Sequence, residues 1–329
     1  MEVERRSGLS QAQFVREYLL PGRPVIVTDV MDQCPARRKW TPEYFRERFG
    51  ERRLKTISGT MTMREIVDGV LHPDGERTPF VRESPIAWWL PEAMEDLAPY
   101  PFFVQPNWLS YPFARWPDLR GSGYGSRLTR ISQVELNFTG ANIRFPTLHV
   151  DLFWTHALIM QWYGTKKVFV FPPEDTKYLY RKSDGWVSEI TDVEHPDLEK
   201  FPDFAKTHMA EFTLQPGEAF FSPCGWWHTT RTESVSIGTA MSFANASNWK
   251  GLTRNLLPQN APLRSRLGSI PYRMYLRALG LWTLPRHRFP ETTDPAWCRD
   301  SLTHYRSTAG SWAGESHGGV PEDVLVPRY

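Results

Sequence analysis

Cysteine is scarce in this chain, long apolar runs are missing, and neither sign of charge dominates. Three cysteines, Cys34, Cys224 and Cys298, lie far apart among 329 residues, with no CxxC pair. An odd, dispersed set of this kind gives no disulfide framework and fits a reducing compartment. No stretch reaches the ~18 apolar residues of a membrane span. The charged opening MEVERRSGLS is not followed by the apolar segment of a signal peptide. These shortages point to a soluble, cytoplasmic protein with no membrane partner. Basic and acidic residues number 39 and 37, a net charge of +2. That balance gives no electrostatic case for a nucleic-acid partner. Repeats, low-complexity tracts and a clean linker are also missing.

The chain is otherwise ordinary globular material, 40% hydrophobic and 14% aromatic, with 14 tryptophans. Its length fits two domains, or one large β domain with helical additions. Over the first hundred residues the signals are mostly helical. Ser10 opens an amphipathic stretch to about Leu20, and the strand-like PVIVTDV follows a Pro/Gly break. Thr41 and Pro42 read as an N-cap with proline in the first helical position, leading a helix to Phe49. Thr62 and Glu65 form a capping box for MREIVDGVL.

From about 130 to 245 the apolar segments become short: QVELNF, THALIMQW, KKVFVFP, EAFFSP and SVSIGTAMSF, separated by turn-rich pieces. Such punctuation predicts an antiparallel sandwich or barrel. After Trp249 the pattern returns to helix, and the last forty residues read as irregular. The expected organisation is an N-terminal region over 1–100 packing on a barrel over 101–249, with C-terminal helices and a tail over 250–329.

Within the β region, His149 and Asp151 stand two apart, so on an extended strand both side chains point the same way. His228, in SPCGWWH, can arrive from a later strand. Two imidazoles and one carboxylate on one face leave positions open, the arrangement of non-heme iron(II) oxygenases. Spacing alone leaves a second reading open. In it His149 is an ordinary hydrogen-bonded histidine and His228 packs beside Trp226 and Trp227.

The run LHVDLFWTHALIMQWYGTKKVFVFPP, then SEITDVEHPDLEKFPDF, then LQPGEAFFSPCGWWH, narrows the choice. In order and spacing these segments present HxD, Gly-x-Lys about fifteen residues on, aromatic-Pro-Pro, an acidic PD…FP piece, PGE and WWH. The chain thereby resembles the Jumonji-C and cupin-like 2-oxoglutarate hydroxylases, above all the small asparaginyl-hydroxylase-like members. The resemblance covers roughly residues 100–250, with an echo in PGRPVIVTDV. It implies a mainly β fold, the double-stranded β-helix or jelly-roll (cupin) barrel, with N- and C-terminal helical additions. It places iron(II) on His149, Asp151 and His228, and the distal carboxylate of the cosubstrate 2-oxoglutarate on Lys166. A bound dicarboxylate would also supply the partner that a buried lysine needs. Lys167 is the rival, but successive strand positions face opposite ways.

Other positions depart from the family pattern. Thr155 and Ser242 stand where relatives have asparagines near the cosubstrate. Pro146 occupies a usual Ser/Thr position, with Thr147 one residue later. Phe102 replaces a cosubstrate-binding tyrosine, so that either Tyr100 or Thr147 substitutes or the cosubstrate is bound more loosely than in relatives. His156, His195 and His208 read as surface or packing histidines, and Cys224 lacks a base that would make it a nucleophile.

The implied activity is hydroxylation of an unactivated carbon in an amino-acid side chain, of a peptide, protein or small molecule, with succinate and CO2 as coproducts. N-demethylation by the same chemistry, a keto-acid-independent enzyme on the same barrel and a non-catalytic cupin-type metal- or ligand-binding protein are the alternatives. Demethylation is disfavoured because the aromatic stretches flanking the ligands (Phe153, Trp154, Trp162, Trp226, Trp227) carry no acidic residue beyond Asp151. Apolar residues at helical spacing between Leu252 and Trp282 imply, with the resemblance, a homodimer through C-terminal helices; the alternative is that these helices simply cover the barrel.

Overall fold

The strands predicted around the HxD motif assemble into two facing sheets. The computed structural model describes residues 1–73, 78–99, 103, 106–110 and 134–282. Its strands are β1 (Glu4–Arg6), β2 (Val25–Val27), β3 (Arg53–Thr56), β4 (Gly59–Thr62), β5 (Phe80–Pro85), β6 (Glu135–Thr139), β7 (His156–Tyr163), β8 (Lys166–Phe171), β9 (Ala210–Leu214), β10 (Ala219–Ser222), β11 (Trp227–Thr232) and β12 (Ser236–Phe243). The large sheet has the order β1-β2-β10-β7-β12-β6-β5, and the small one β11-β8-β9, with β3 and β4 as a separate hairpin. All pairings are antiparallel except β1 with β2. This is the jelly-roll sandwich that the resemblance implies.

Strands buried on both faces lose the simple apolar–polar alternation, and β7 shows why. Leu158, Met160 and Trp162 point outward into a core shared with the N-terminal helices. Ala157 and Ile159 point inward and line a cavity. Between the sheets, Ile26, Val168, Val170 and Phe220 fill the interior. The helices over Pro42–Phe49 and Met63–Leu71 start where their caps predict, with Thr41 and Thr62 accepting from Tyr44 N and Glu65 N. They bring Phe45, Phe49, Ile66, Val67 and Val70 against the large sheet. Each such side chain contributes about 1.5–3 kcal/mol by burial, so the N-terminal region and the barrel share one core. The stretch opened by Ser10 is helical over Gln11–Phe14 and continues as a π-helix over Val15–Leu19.

C-terminal helices over Trp249–Arg254, Leu263–Gly268 and Ile270–Trp282 form a second cluster. In it Trp249, Leu252, Leu256 and Leu276 surround Phe153, close to the HxD segment. The irregular tail expected over the last forty residues lies outside the described residues. No helix among them is long and apolar enough to cross a membrane.

Candidate metal centre

His149 and His228 face each other as a cross-strand pair, one at the start of β11 and the other on an extended segment ahead of β7 rather than in a regular strand. Two backbone hydrogen bonds join them, His149 N to His228 O (3.1 Å) and His228 N to His149 O (2.8 Å). The rings stand 4.4 Å apart, tilted by 54°. Asp151 completes the group, and the donor atoms of the three residues all lie within 4.8 Å of one another.

Each ring is oriented by the residue two positions before it. His149 Nδ1 lies 3.2 Å from Thr147 O, and His228 Nδ1 lies 3.3 Å from Trp226 O. A carbonyl only accepts, so Nδ1 carries the proton and the Nε2 lone pair is left for a ligand. Phe145 stacks on His149 at 5.0 Å and 25°. Burial holds His149 well below the ordinary histidine range, and the neighbouring His228 adds to this. His149 is therefore a neutral donor at physiological pH. Burial raises the Asp151 carboxyl, with Glu83 adding and His228 opposing. Its carboxylate has no hydrogen bond or ion pair among the described residues. Two imidazoles that present Nε2 and one carboxylate without a partner among the described residues fit a divalent cation with oxygen and nitrogen preference, and the ion would supply the charge that Asp151 lacks.

The three residues form part of a cavity whose other walls include Asn137, Thr139, Ile159, Ser236 and Ser242. Lys166 reaches in from β8 and is 7% exposed. Its ammonium has no hydrogen bond or ion pair among the described residues, and burial alone pushes it down to about 8. Lys167 takes the outer face of the same strand, paired with Glu211 at 3.1 Å.

The remaining expected cosubstrate residues are dispersed. Ser242 lines the cavity. Thr147 sits beside His149, its hydroxyl 3.5 Å from Nδ1. Thr155 is buried and donates to Leu152 O at 3.0 Å, without lining the cavity. Tyr100 and Phe102 lie outside the described residues. His156 is buried in a polar relay, accepting from Cys224 N and bonding Ser247 Oγ at 2.9 Å.

The expectation of aromatic walls without acid is corrected by the fold. Trp162 packs on Trp40, Trp227 bonds Thr176, and Trp226 bonds Gly22 O. Phe153 packs on Trp186, and the Trp154 indole lies against Gly225 and Gly251. None of these five lines the cavity, whereas Phe80, Phe145, Glu83 and Glu135 do. The signal for Glu135 was present in the alternation of Glu135-Leu136-Asn137-Phe138-Thr139, which puts three polar residues on one face. Glu83 itself takes a left-handed backbone (φ 48°) at an irregularity in β5, which alternation does not foresee.

A model of the family described as the cupin-like domain matches residues 11–250. The chain is similar to the tRNA wybutosine-synthesizing protein 5 of Homo sapiens, 28% identical over 261 residues, covering 72% of this chain and 76% of that protein. It is similar to the lysine-specific demethylase JMJ30 of Arabidopsis thaliana, 28% identical over 251 residues, covering 74% of this chain and 55% of that protein. A third relative is the lysine-specific demethylase 8 of Xenopus tropicalis, 25% identical over 246 residues, covering 70% of this chain and 50% of that protein. The chain spans about half the length of the two demethylases.

Proposed function

The chain belongs to the cupin-like domain family, and from that premise we propose that it hydroxylates an unactivated carbon of an amino-acid side chain at His149, Asp151 and His228. It is a 2-oxoglutarate-dependent oxygenase of the Jumonji-C type, and enzymes of this type use iron(II). The observation that carries the residue assignment is the coincidence, in one cavity, of a carboxylate beside two oriented imidazoles and a lysine ammonium, both charges without a partner among the described residues.

Iron(II) bound by this donor set would supply dioxygen activation coupled to decarboxylation of 2-oxoglutarate to succinate and CO2. The chain's own residues do the placing. Thr147 O and Trp226 O fix the imidazoles with Nε2 presented to the cavity. Lys166 offers charge-assisted hydrogen bonds to the distal carboxylate of the cosubstrate. Ser242, and Thr147 beside His149, supply neutral hydroxyls near the same space. Thr155 acts at one remove, holding the turn after Asp151 through Leu152 O.

Demethylation stands as a second reading, because Glu83 and Glu135 bring the carboxylates into the cavity that a cationic substrate wants. In that outcome the oxidised carbon is an N-methyl group, lost as formaldehyde. A relative named for tRNA wybutosine synthesis also places tRNA beside peptides and small molecules among candidate substrates, although the net charge of +2 alone does not call for nucleic acid. We further propose a homodimer through the C-terminal helices.

The test is succinate release from purified protein with iron(II) and 2-oxoglutarate, followed by mass spectrometry of reacted candidate peptides and tRNA. Gain of one oxygen supports hydroxylation, and loss of a methylene with formaldehyde supports the second reading. Iron-independent behaviour with no succinate formed would overturn both.

A further inference from the structure

Gln161 lies fully buried on β7, on the face that carries Ala157 and Ile159 into the cavity. Its amide nitrogen donates to Tyr163 O (2.6 Å), Gly164 O (2.9 Å) and Ser236 Oγ (2.9 Å). Two of these partners are carbonyls, which only accept, so the amide cannot be flipped and Oε1 must point the other way. There it has no hydrogen-bond partner among the described residues. A buried acceptor without a donor costs about 1–3 kcal/mol, so its persistence calls for a donor that the bound state supplies.

The donor is at hand across the strand pair. Gly238 of β12 is the register partner of Gln161, beside a bulge. A Cβ built on Gly238 would stand 3.1 Å from Gln161 Oε1 and 3.3 Å from Lys166 Nζ. Both atoms therefore border one small space, which exists because residue 238 has no side chain.

We propose that Gln161 is a positioning residue for Lys166, accepting one ammonium N–H across the gap left by Gly238. The other two N–H groups are then aimed at the distal carboxylate of the cosubstrate. An ammonium has three donors and a freely rotating head. Fixing one donor on a rigid amide restricts that rotation and supplies a neutral dipole without a competing negative charge. The inference rests on reading Lys166 as the 2-oxoglutarate anchor.

The experiment is calorimetric titration of manganese(II)-loaded protein with 2-oxoglutarate and, separately, with oxalate, which lacks the distal carboxylate. Gln161→Met should weaken 2-oxoglutarate binding about tenfold, the scale of one hydrogen bond to a charged group. Oxalate affinity should be unchanged. In turnover, KM for 2-oxoglutarate should rise at near-constant kcat. Gly238→Ala, which keeps every bond of the Gln161 amide nitrogen, should show the same selective loss and covers the case in which Gln161→Met fails to fold. Equal losses for both ligands, or unaltered 2-oxoglutarate affinity in these variants, would overturn the proposal. Lys166→Met separates the two levels. If it loses 2-oxoglutarate while Gln161→Met and Gly238→Ala do not, the anchor stands and the positioning role falls. If it binds as the parent does, both fall.

Discussion

Lys166 carries a charge that its surroundings do not balance. Burial brings its ammonium from the ordinary 10.5 down to about 8. Between those values the unfolded chain holds a proton that the folded, ligand-free chain has released, so apo stability rises with pH across that window and is lowest below it. Cosubstrate binding runs the other way, because the carboxylate needs the protonated form. The dissociation constant for 2-oxoglutarate should rise about tenfold per pH unit above 8, measured by titration from pH 6.5 to 9.5. Lys166→Met should abolish that dependence and raise the melting temperature of the apo protein near neutral pH, since an unpaired buried charge is removed. Asp151 has the same character with opposite sign. Asp151→Ala should eliminate iron loading and succinate release while leaving the apo melting temperature unchanged or higher, and His149→Ala should likewise abolish turnover with the fold retained. Full activity in either variant would remove these residues from the metal assignment.

The elements around the metal centre were legible in the sequence where their signals are local. Thr41-Pro42 and the Thr62–Glu65 box mark helix starts because a cap acts within three residues. The HxD spacing and the five expected strands are local in the same sense. Strand β11 was expected only where it carries His228, because the rest of its sequence, WHTTRT, is polar: His228, Thr230 and Thr232 face the cavity instead of a core. Also invisible was the turn after Asp151, where Phe153 and Trp154 both take left-handed backbone (φ 58° and 59°), a strain of about 1–3 kcal/mol each. Contacts distant in sequence hold it. Asn248 donates to Trp154 O at 3.0 Å, and the indole is cradled by Gly225 and Gly251. A Cβ on Gly251 would come within 2.2 Å of Trp154 Cδ1. Gly251→Ala should therefore destabilise the protein by about 1–3 kcal/mol through overpacking, read from denaturant unfolding. Iron affinity should weaken with it because the displaced turn begins at Asp151.

At the scale of the whole molecule, the acidic side of the cavity depends on β5 pairing with β6, which brings Glu83 and Glu135 beside the proposed ligands, 14 to 145 positions away in sequence. No local pattern carries that pairing, so the substrate side was less legible than the metal side. The C-terminal helices divide in a comparable way. Their apolar spacing predicted either a cover for the barrel or a dimer seam, and the structure gives each face a different set of residues. Leu252, Leu256, Tyr272 and Leu276 are buried against the Phe153 cluster. Leu263, Leu267, Met274 and Leu281 stand 71%, 56%, 64% and 77% exposed, with Ile270 at 44%. The intervals of this exposed set, 263 to 267 to 270 to 274, are the four-three alternation of a helix–helix seam, and 274 to 281 is one heptad further. Singly exposed leucines need no explanation, but a stripe of five along consecutive helices approaches the several hundred Å² at which an apolar patch marks an interface. Light scattering at micromolar concentration should give twice the 38.2 kDa chain mass. Leu267→Glu combined with Met274→Glu should return the mass to that of one chain with succinate release per chain retained, because neither residue lines the cavity. A parent protein that scatters as a single chain would leave the stripe without a second copy to cover it.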